Sequence, residues 1–188
     1  MKIGVPKEIK PQENRIGLTP DSVKTLTSNG HEVLVENDGG FEAGFDNNQY
    51  KSAGAKIIDK AEDIFNDAEI IVKVKEHLSN EVKMIRENQI VFTYLHLAAA
   101  KELTQGLINS KGICIAYETV TDQNGRLPLL APMSAVAGRM SVQAGAHCLE
   151  KNQKGRGLLL GGAPGVTGGT VVILGGGVVG ENAAVIAT

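Results

Sequence analysis

The sequence predicts an α/β fold in which a mostly parallel sheet is covered by helices on both faces. Short apolar runs rich in β-branched residues alternate with helical patterns along the chain, as in successive βαβ units. Several of the helical patterns also carry start or stop signals. A chain of 188 residues can bury a substantial core and corresponds to one domain or slightly more. We therefore expect a doubly wound sheet.

Six apolar runs are predicted to form the strands, namely residues 2–5, 31–36, 69–74, 90–95, 113–117 and 170–174. The first predicted helix has Thr19 as its N-cap and Pro20 in its first turn, and it ends at Gly30. Three further helices are predicted over residues 80–87, 101–109 and 134–150. The last is rich in small residues, so another backbone can approach it closely, and we expect this helix to pack between domains. Pro128 and Pro132 precede it and are expected to break regular structure.

Composition and charge exclude several classes of protein. The 19 basic and 21 acidic residues leave a net charge of −2, which excludes a strongly basic nucleic-acid-binding protein. No signal-peptide pattern opens the sequence, and Cys114 and Cys148 do not make a disulfide framework, so a cytoplasmic location is expected. Scattered histidines and the lack of C-x-x-C spacing predict no metal site. Residues 157–180 carry no charge, but ten are glycine, which favours loop, strand and turn over a membrane span.

A glycine turn follows the last predicted strand and opens a helix. Gly175, Gly177 and Gly180 form the G-x-G-x-x-G pattern that is typical of a Rossmann-like dinucleotide-binding fold. The first glycine allows a tight turn, the second lets a pyrophosphate approach the backbone, and the third lets helix and strand pack closely. The N–H groups at the helix N-terminus face the phosphates. The alternative is a plain glycine-rich turn with no ligand.

Only the beginning of this dinucleotide-binding pattern is present. The acidic residue that binds a ribose is expected about 20 residues after the first glycines, beyond Thr188. We therefore expect residues 1–130 to form one domain and residues 131–188 to begin a second, truncated one. On this reasoning the chain is expected to be either a fragment or a truncated gene product.

Four side chains that could meet a small acid are predicted in segments that follow the carboxyl ends of strands. Lys75 follows the run at 69–74 and His96 follows the run at 90–95, so both should emerge at one edge of a parallel sheet. Glu118 reaches the same edge after the next run. Arg15 lies in the loop after the first strand, and its guanidinium could bind a carboxylate bidentately. Each of these residues taken singly is more often a solvated or structural one.

Five segments of the chain resemble the alanine dehydrogenase family. They are MKIGVPKEIKPQENRIGLTP, KVKEH around Lys75, YLHLA around His96, LLAPMSAVAGRM, and GGAPGVTGGTVVILGGGVVGENAA. The resemblance implies an NAD-dependent, cytoplasmic and usually hexameric enzyme that converts L-alanine and water reversibly to pyruvate and ammonium. It also implies that residues 1–130 belong to the substrate and catalytic domain and that residues 131–188 begin the NAD-binding domain.

The same resemblance implies roles for individual residues. Arg15 would hold the substrate carboxylate, Lys75 would bind the substrate carboxylate and carbonyl oxygen, and His96 would be the general acid/base. Besides the glycine turn, contacts with NAD are implied for three residues, Ser134, Val178 and Val179. The family's second catalytic residue, an aspartate, would lie beyond residue 188, so the isolated chain is expected to be inactive.

Two other functions stay open at this point. The first is the soluble, NAD(H)-binding part of a proton-translocating transhydrogenase, a related family with a similar N-terminal sequence. The second is a non-catalytic truncated product, which would lack measurable NAD affinity and would tend to self-associate, because the strand at 170–174 would have no sheet neighbours. Arg15, Lys75 and His96 together favour the alanine dehydrogenase alternative, because they suit a small amino acid.

Overall fold

The structure, a computed structural model, describes all 188 residues, and their contacts divide the chain into two compact units. The N-terminal unit comprises Met1–Val120 and the C-terminal unit comprises Thr121–Thr188. The domain boundary predicted between residues 130 and 131 stays a prediction. The two compact units meet closer to the N-terminus, after Val120. No helix of the chain combines the length and the apolar character that crossing a membrane requires.

The N-terminal unit contains one sheet of six parallel strands with helices between them. The strands are β1 (Lys2–Val5), β2 (Glu32–Glu36), β3 (Lys56–Ile58), β4 (Ile70–Val72), β5 (Ile90–Thr93) and β6 (Ile113–Ala116). The helices are α1 (Pro20–Ser28), α2 (Asn47–Ser52), α3 (Ala61–Asp67), α4 (Ser79–Val82) and α5 (Lys101–Ser110). The strand order is β3-β2-β1-β4-β5-β6, and each neighbouring pair is parallel. This order is doubly wound, which confirms the predicted fold class.

The core lies on both faces of the sheet because side chains alternate along each strand. Val5 and Val33 pack into one apolar cluster, and Ile64 and Ile71 pack into another. Gly4, in the middle of β1, has no room for a side chain: a Cβ there would lie 2.5 Å from the Cγ2 of Ile64. The glycine therefore lets α3 pack directly against β1.

The start of α1 confirms the capping signals in the sequence. The hydroxyl of Thr19 accepts a hydrogen bond from the backbone N–H of Ser22 at 3.3 Å, and Pro20 is the first helical residue. The helix ends at Ser28, and Gly30 then adopts a φ of 82°, which favours glycine. Local chemistry therefore sets both ends of this helix.

Several predicted elements differ from the structure. The elements α2, β3 and α3 were not predicted, because residues 47–67 are polar and the edge strand has only three residues. The segment at 170–174, predicted as a strand, is not one: no other strand pairs with it, and Leu174 is 94% exposed. Pro132 does not break structure, since it lies in the first turn of the long helix, where its missing N–H costs nothing.

The C-terminal unit is built around two helices, α6 (Ala131–Cys148) and α7 (Val178–Ala187). They approach each other closely at Gly138, where an added Cβ would overlap the carbonyl oxygen of Val179. Beside this contact, Nε of Arg139 donates to Oδ1 of Asn182 at 3.1 Å. The small residues of α6 therefore accept a neighbouring backbone, as the sequence predicted.

Candidate active site

The carboxyl ends of four adjacent strands carry the polar residues singled out in the sequence. In the sheet, β1, β4, β5 and β6 are consecutive neighbours. Arg15 lies in the loop after β1, Lys75 follows β4, His96 follows β5, and Glu118 follows β6. The structure therefore places all four residues at one edge of the sheet.

The loop after β1 is attached to the end of β4 by close contacts. Oε1 of Glu8 accepts hydrogen bonds from the backbone N–H groups of Val74 at 2.6 Å and Lys75 at 3.2 Å. Further along the same loop, a Cβ on Gly17 would lie 2.6 Å from the carbonyl oxygen of Val72. The absence of a side chain at Gly17 thus lets the Arg15 loop lie directly against the end of β4.

The guanidinium of Arg15 is oriented by a carboxylate that was not predicted from the sequence. Nε of Arg15 donates to Oε1 of Glu13 at 2.7 Å, and Nη2 donates to Oε2 at 2.5 Å. These hydrogen bonds raise the pKa of Arg15, and the same contacts hold the pKa of the Glu13 carboxyl below its usual range. The side chain of Arg15 is about half exposed, at 49%. The paired geometry fixes the plane of the guanidinium before any ligand arrives.

Glu118 holds the turn at His96. His96 adopts left-handed backbone angles, with φ 50° and ψ 40°, which a residue other than glycine seldom adopts. Oε1 of Glu118 accepts a hydrogen bond from the N–H of His96 at 2.7 Å, and the N–H of Leu95 donates to the same carboxylate at 3.1 Å. Burial favours a higher pKa for Glu118, but these backbone hydrogen bonds lower it overall. The carboxylate is therefore ionised at neutral pH and stabilises the turn.

Aromatic rings form one side of the edge around His96. The exposed imidazole of His96 stacks on Tyr94, with ring centroids 6.1 Å apart and an interplanar angle of 16°. Tyr94 meets Tyr117 edge to face at 4.9 Å. Burial raises the pKa of both phenols, so both are neutral at physiological pH. The edge thus combines two cations and one imidazole with neutral aromatic rings.

Such a set of groups suits a small carboxylic acid. A guanidinium and an ammonium both attract a carboxylate, and an imidazole exchanges protons near neutral pH. No hydrogen bond or ion pair to another residue occupies the ammonium of Lys75. The position of Lys75 beside the Arg15 loop places two positive groups at the same edge, where both can face one ligand.

The C-terminal unit contains the glycine turn that the sequence predicted. Gly175 has a φ of 101°, and a Cβ on Gly180 would overlap the carbonyl oxygen of Gly175, so both positions need glycine. A Cβ on Gly177 would meet no atom within 4 Å, which leaves open space at the N-terminus of α7. No side chain caps that terminus. Open space beside uncapped N–H groups fits a pyrophosphate.

All six residues predicted to contact a dinucleotide lie around one cavity of the C-terminal unit. The cavity has a volume of about 730 Å³, and it is lined by Ser134, Gly175, Gly177, Val178, Val179 and Gly180 among others. The residues from α6 and from the glycine turn are thus brought together, although they are far apart in sequence. A cavity that brings these residues together is what a cofactor site needs.

Two supporting residues, Glu8 and Glu13, were not predicted from the sequence. Glu8 is 66 residues away from its partner Val74, so no local pattern reveals the contact. Glu13 is only two residues from Arg15, and that spacing could have suggested a pair within the loop. The sequence therefore indicated the ligand-facing groups better than the acids that support them.

Comparison with known proteins identifies the family. The sequence model of the alanine dehydrogenase/PNT N-terminal domain matches residues 4–137, and that of the C-terminal domain of the same family matches residues 141–188. The alanine dehydrogenase of Bacillus subtilis is 56% identical over 188 residues, which is 100% of this chain and 49% of that protein. The alanine dehydrogenase of Halomonas elongata is 54% identical over 184 residues, covering 98% of this chain and 50% of that protein.

Solved structures agree with the sequence comparison. An L-alanine dehydrogenase structure superposes with a TM-score of 0.93 at 56% identity, covering all of this chain and 52% of that one. A transhydrogenase from Sinorhizobium meliloti superposes with a TM-score of 0.82 at 24% identity, which shows a shared fold alone. The chain spans about half the length of the relatives it matches. On these matches, the chain belongs to the alanine dehydrogenase/PNT family.

Proposed function

We propose that this chain is part of an NAD-dependent alanine dehydrogenase, which converts L-alanine and water reversibly to pyruvate and ammonium. The observation that supports the proposal is that Arg15, Lys75 and His96 all lie at one edge of the sheet, in segments that resemble the family. We call this sequence, together with the part of its relatives' length that it does not span, the whole protein.

The proposed roles derive from the chemistry of each side chain. Arg15, oriented by Glu13, holds the substrate carboxylate as a bidentate pair. The ammonium of Lys75 contacts the same carboxylate and polarises the carbonyl oxygen of pyruvate in the reverse direction. Both contacts fix the orientation of the three-carbon substrate.

His96 is the proposed general acid/base. The ammonium group of alanine first loses one proton, and loss of hydride from Cα then leaves an iminium on the substrate, to whose carbon water must add. His96 removes a proton from that water and returns it to the nitrogen of the resulting carbinolamine. The C–N bond then breaks as the hydroxyl proton passes to the departing ammonia, so that ammonium and pyruvate are released. Its exposed ring at the edge of the sheet is accessible to a small molecule.

NAD is the proposed cofactor, and when bound it supplies the acceptor for the hydride. Gly177 and the uncapped first turn of α7 would receive its pyrophosphate, because both have open space and free N–H groups. Contacts with NAD are proposed for Ser134, Val178 and Val179 on the basis of the family resemblance and their shared cavity.

Other properties of the family are part of the same proposal. We infer a cytoplasmic location, a hexameric assembly of the whole protein and a domain boundary near residue 130. The hexamer is testable by light scattering of the whole protein, and the boundary by limited proteolysis. The transhydrogenase alternative is less well supported, since the alanine dehydrogenases of Halomonas elongata and Bacillus subtilis are 54% and 56% identical and the transhydrogenase structure only 24%.

The decisive experiment is an assay of the whole protein for hydride transfer. We expect NADH to form only when L-alanine and NAD are both present, and to be consumed when pyruvate and ammonium are added. D-alanine serves as the stereochemical control and should give no signal. Transfer of hydride between NAD(H) and NADP(H) without any dependence on alanine would instead support the transhydrogenase alternative and contradict the proposal.

The glycine turn allows a separate test of the cofactor. In the whole protein, Gly180→Ala should weaken NAD binding by about 1–3 kcal/mol, or about 5- to 150-fold in Kd, because the new methyl group must displace the turn at Gly175. Calorimetric titration measures this change.

Gly176→Ala is the matched control for this variant. A Cβ at Gly176 meets no atom within 4 Å, so we expect the same Kd as in the unmodified protein. Equal Kd values for both variants would show that the turn does not hold the dinucleotide.

A further inference from the structure

Three buried charged side chains lie beneath the loop that carries Lys75. The ammonium of Lys73 lies 2.5 Å from Oε1 of Glu81 and 3.4 Å from Oε2 of Glu8. The side chain of Lys73 is only 1% exposed, and both carboxylates are buried as well. An ammonium is retained in a protein interior only when it is well paired. We name these residues the Glu8–Lys73–Glu81 cluster.

The two carboxylates of this cluster also accept hydrogen bonds from backbone N–H groups of the loop that carries Lys75. Oε1 of Glu8 accepts the N–H groups of Val74 and Lys75, and Oε2 of Glu81 accepts the N–H of Leu78 at 2.8 Å. Strand β4 ends at Val72, so these N–H groups lie beyond it. The segment from residue 74 to residue 78 is therefore attached at both ends to one buried ammonium through two carboxylates.

The opposite side of the Lys75 peptide is also held. The hydroxyl of Thr93, at the end of β5, donates to the carbonyl oxygen of Lys75 at 3.0 Å. The N–H and the carbonyl of Lys75 are thus both bonded to side chains of neighbouring segments, while its ammonium makes no hydrogen bond or ion pair with another residue. A fixed backbone with an unengaged charged end is the arrangement that substrate positioning requires.

We propose that Glu8 is a positioning residue for Lys75, held in place by the buried ammonium of Lys73, which Glu81 anchors. The effect on catalysis rests on the proposed function, whereas the effect on the backbone does not. Because Glu8 belongs to the loop after β1, it also sets the spacing between Lys75 and the Arg15 loop. Glu8 therefore serves substrate binding without touching the substrate itself.

Removal of the Glu8 carboxylate tests the proposal in the whole protein. In Glu8→Ala, we expect kcat/KM for L-alanine to fall about 10²-fold, mainly through KM, while KM for NAD stays within about twofold, because a small displacement of Lys75 affects only the substrate. Glu8→Gln should recover part of the loss, since the amide oxygen can still accept the Val74 N–H.

Glu69→Ala is the matched control. Oε2 of Glu69 accepts the N–H of Lys2 at 2.6 Å, so it also bonds a backbone N–H at one end of β1, but at the opposite edge of the sheet. We expect its KM for L-alanine to be unchanged. If Glu8→Ala does not fold, Glu8→Asp replaces it, because the shorter side chain keeps the charge near Lys73 and withdraws the acceptor from Val74.

Amide hydrogen exchange of the whole protein gives a readout that does not depend on activity. The Val74 and Lys75 amides should exchange at least about tenfold faster in the Glu8 variant than in the unmodified protein, because they lose their acceptor. Unchanged exchange, or an equal loss for alanine and NAD, would overturn the proposal. If these amides exchange faster but the protein has no alanine-dependent activity, the proposed function is contradicted. The role of Glu8 in holding the backbone of Lys75 is then still supported.

Discussion

Replacement of His96 by Asn should lower the turnover of L-alanine by the whole protein by about 10²- to 10⁴-fold, because the reaction loses its general acid/base. Asn is the suitable substitution, since it tolerates the left-handed backbone angles at this position better than Ala. The hydrogen bonds from the backbone of residues 95 and 96 to Glu118 can therefore remain. Steady-state kinetics with L-alanine and NAD measure the effect.

His147→Asn is the control for this experiment. His147 is an exposed histidine of α6 in the C-terminal unit, and its Nδ1 lies 3.5 Å from Oε1 of Glu150. We expect its turnover to equal that of the unmodified protein. Full turnover in the His96 variant, with the fold intact by circular dichroism, would remove this histidine from the mechanism.

Phe65→Ala should lower the free energy of unfolding of the chain by about 3–5 kcal/mol, because it empties a large, fully buried volume. Phe65 lies in α3 and meets the buried imidazole of His77 edge to face, with ring centroids 5.8 Å apart. Burial and the charge of Lys73 lower the pKa of His77 to about 3, so the ring is neutral and packs as an apolar group. Urea unfolding followed by circular dichroism measures the change.

Phe41→Ala makes the same chemical change at a position that is 63% exposed. We expect its free energy of unfolding to stay within about 0.5 kcal/mol of the unmodified value, since little packing is lost at the surface. A similar loss in both variants would show that the interior around α3 is not packed as the structure describes.

Local patterns were sufficient to predict many of the elements. The apolar runs at β1, β2, β5 and β6 are strands within one or two residues of their predicted bounds, and the Thr19-Pro20 signal starts α1. These features depend on alternation and on capping, which act between residues close in sequence. The placement of Lys75 and His96 after neighbouring strands was also predictable, because a βαβ unit brings both carboxyl ends to one edge.

Other features have no local signal. The segment at 170–174 has the apolar, β-branched composition of a strand, yet it is not one, because a strand also needs a partner to hydrogen-bond with. Lys73 and Lys75 are two residues apart, so strand alternation predicts that both point to the same side. In the structure Lys73 is buried between two carboxylates and Lys75 lies beyond the end of β4. The spacing of the two lysines indicated neither carboxylate partner of Lys73.

By itself, the order of the residues identified the fold class, the glycine turn and the three groups proposed to meet the substrate, because period, turn chemistry and strand ends are short-range properties. The contacts of the supporting acids emerged only from the packed chain. Glu8 meets Val74 across 66 residues, and Glu118 meets His96 across 22. Contacts at such separations depend on how the strands are ordered in the sheet, which no neighbouring residue encodes.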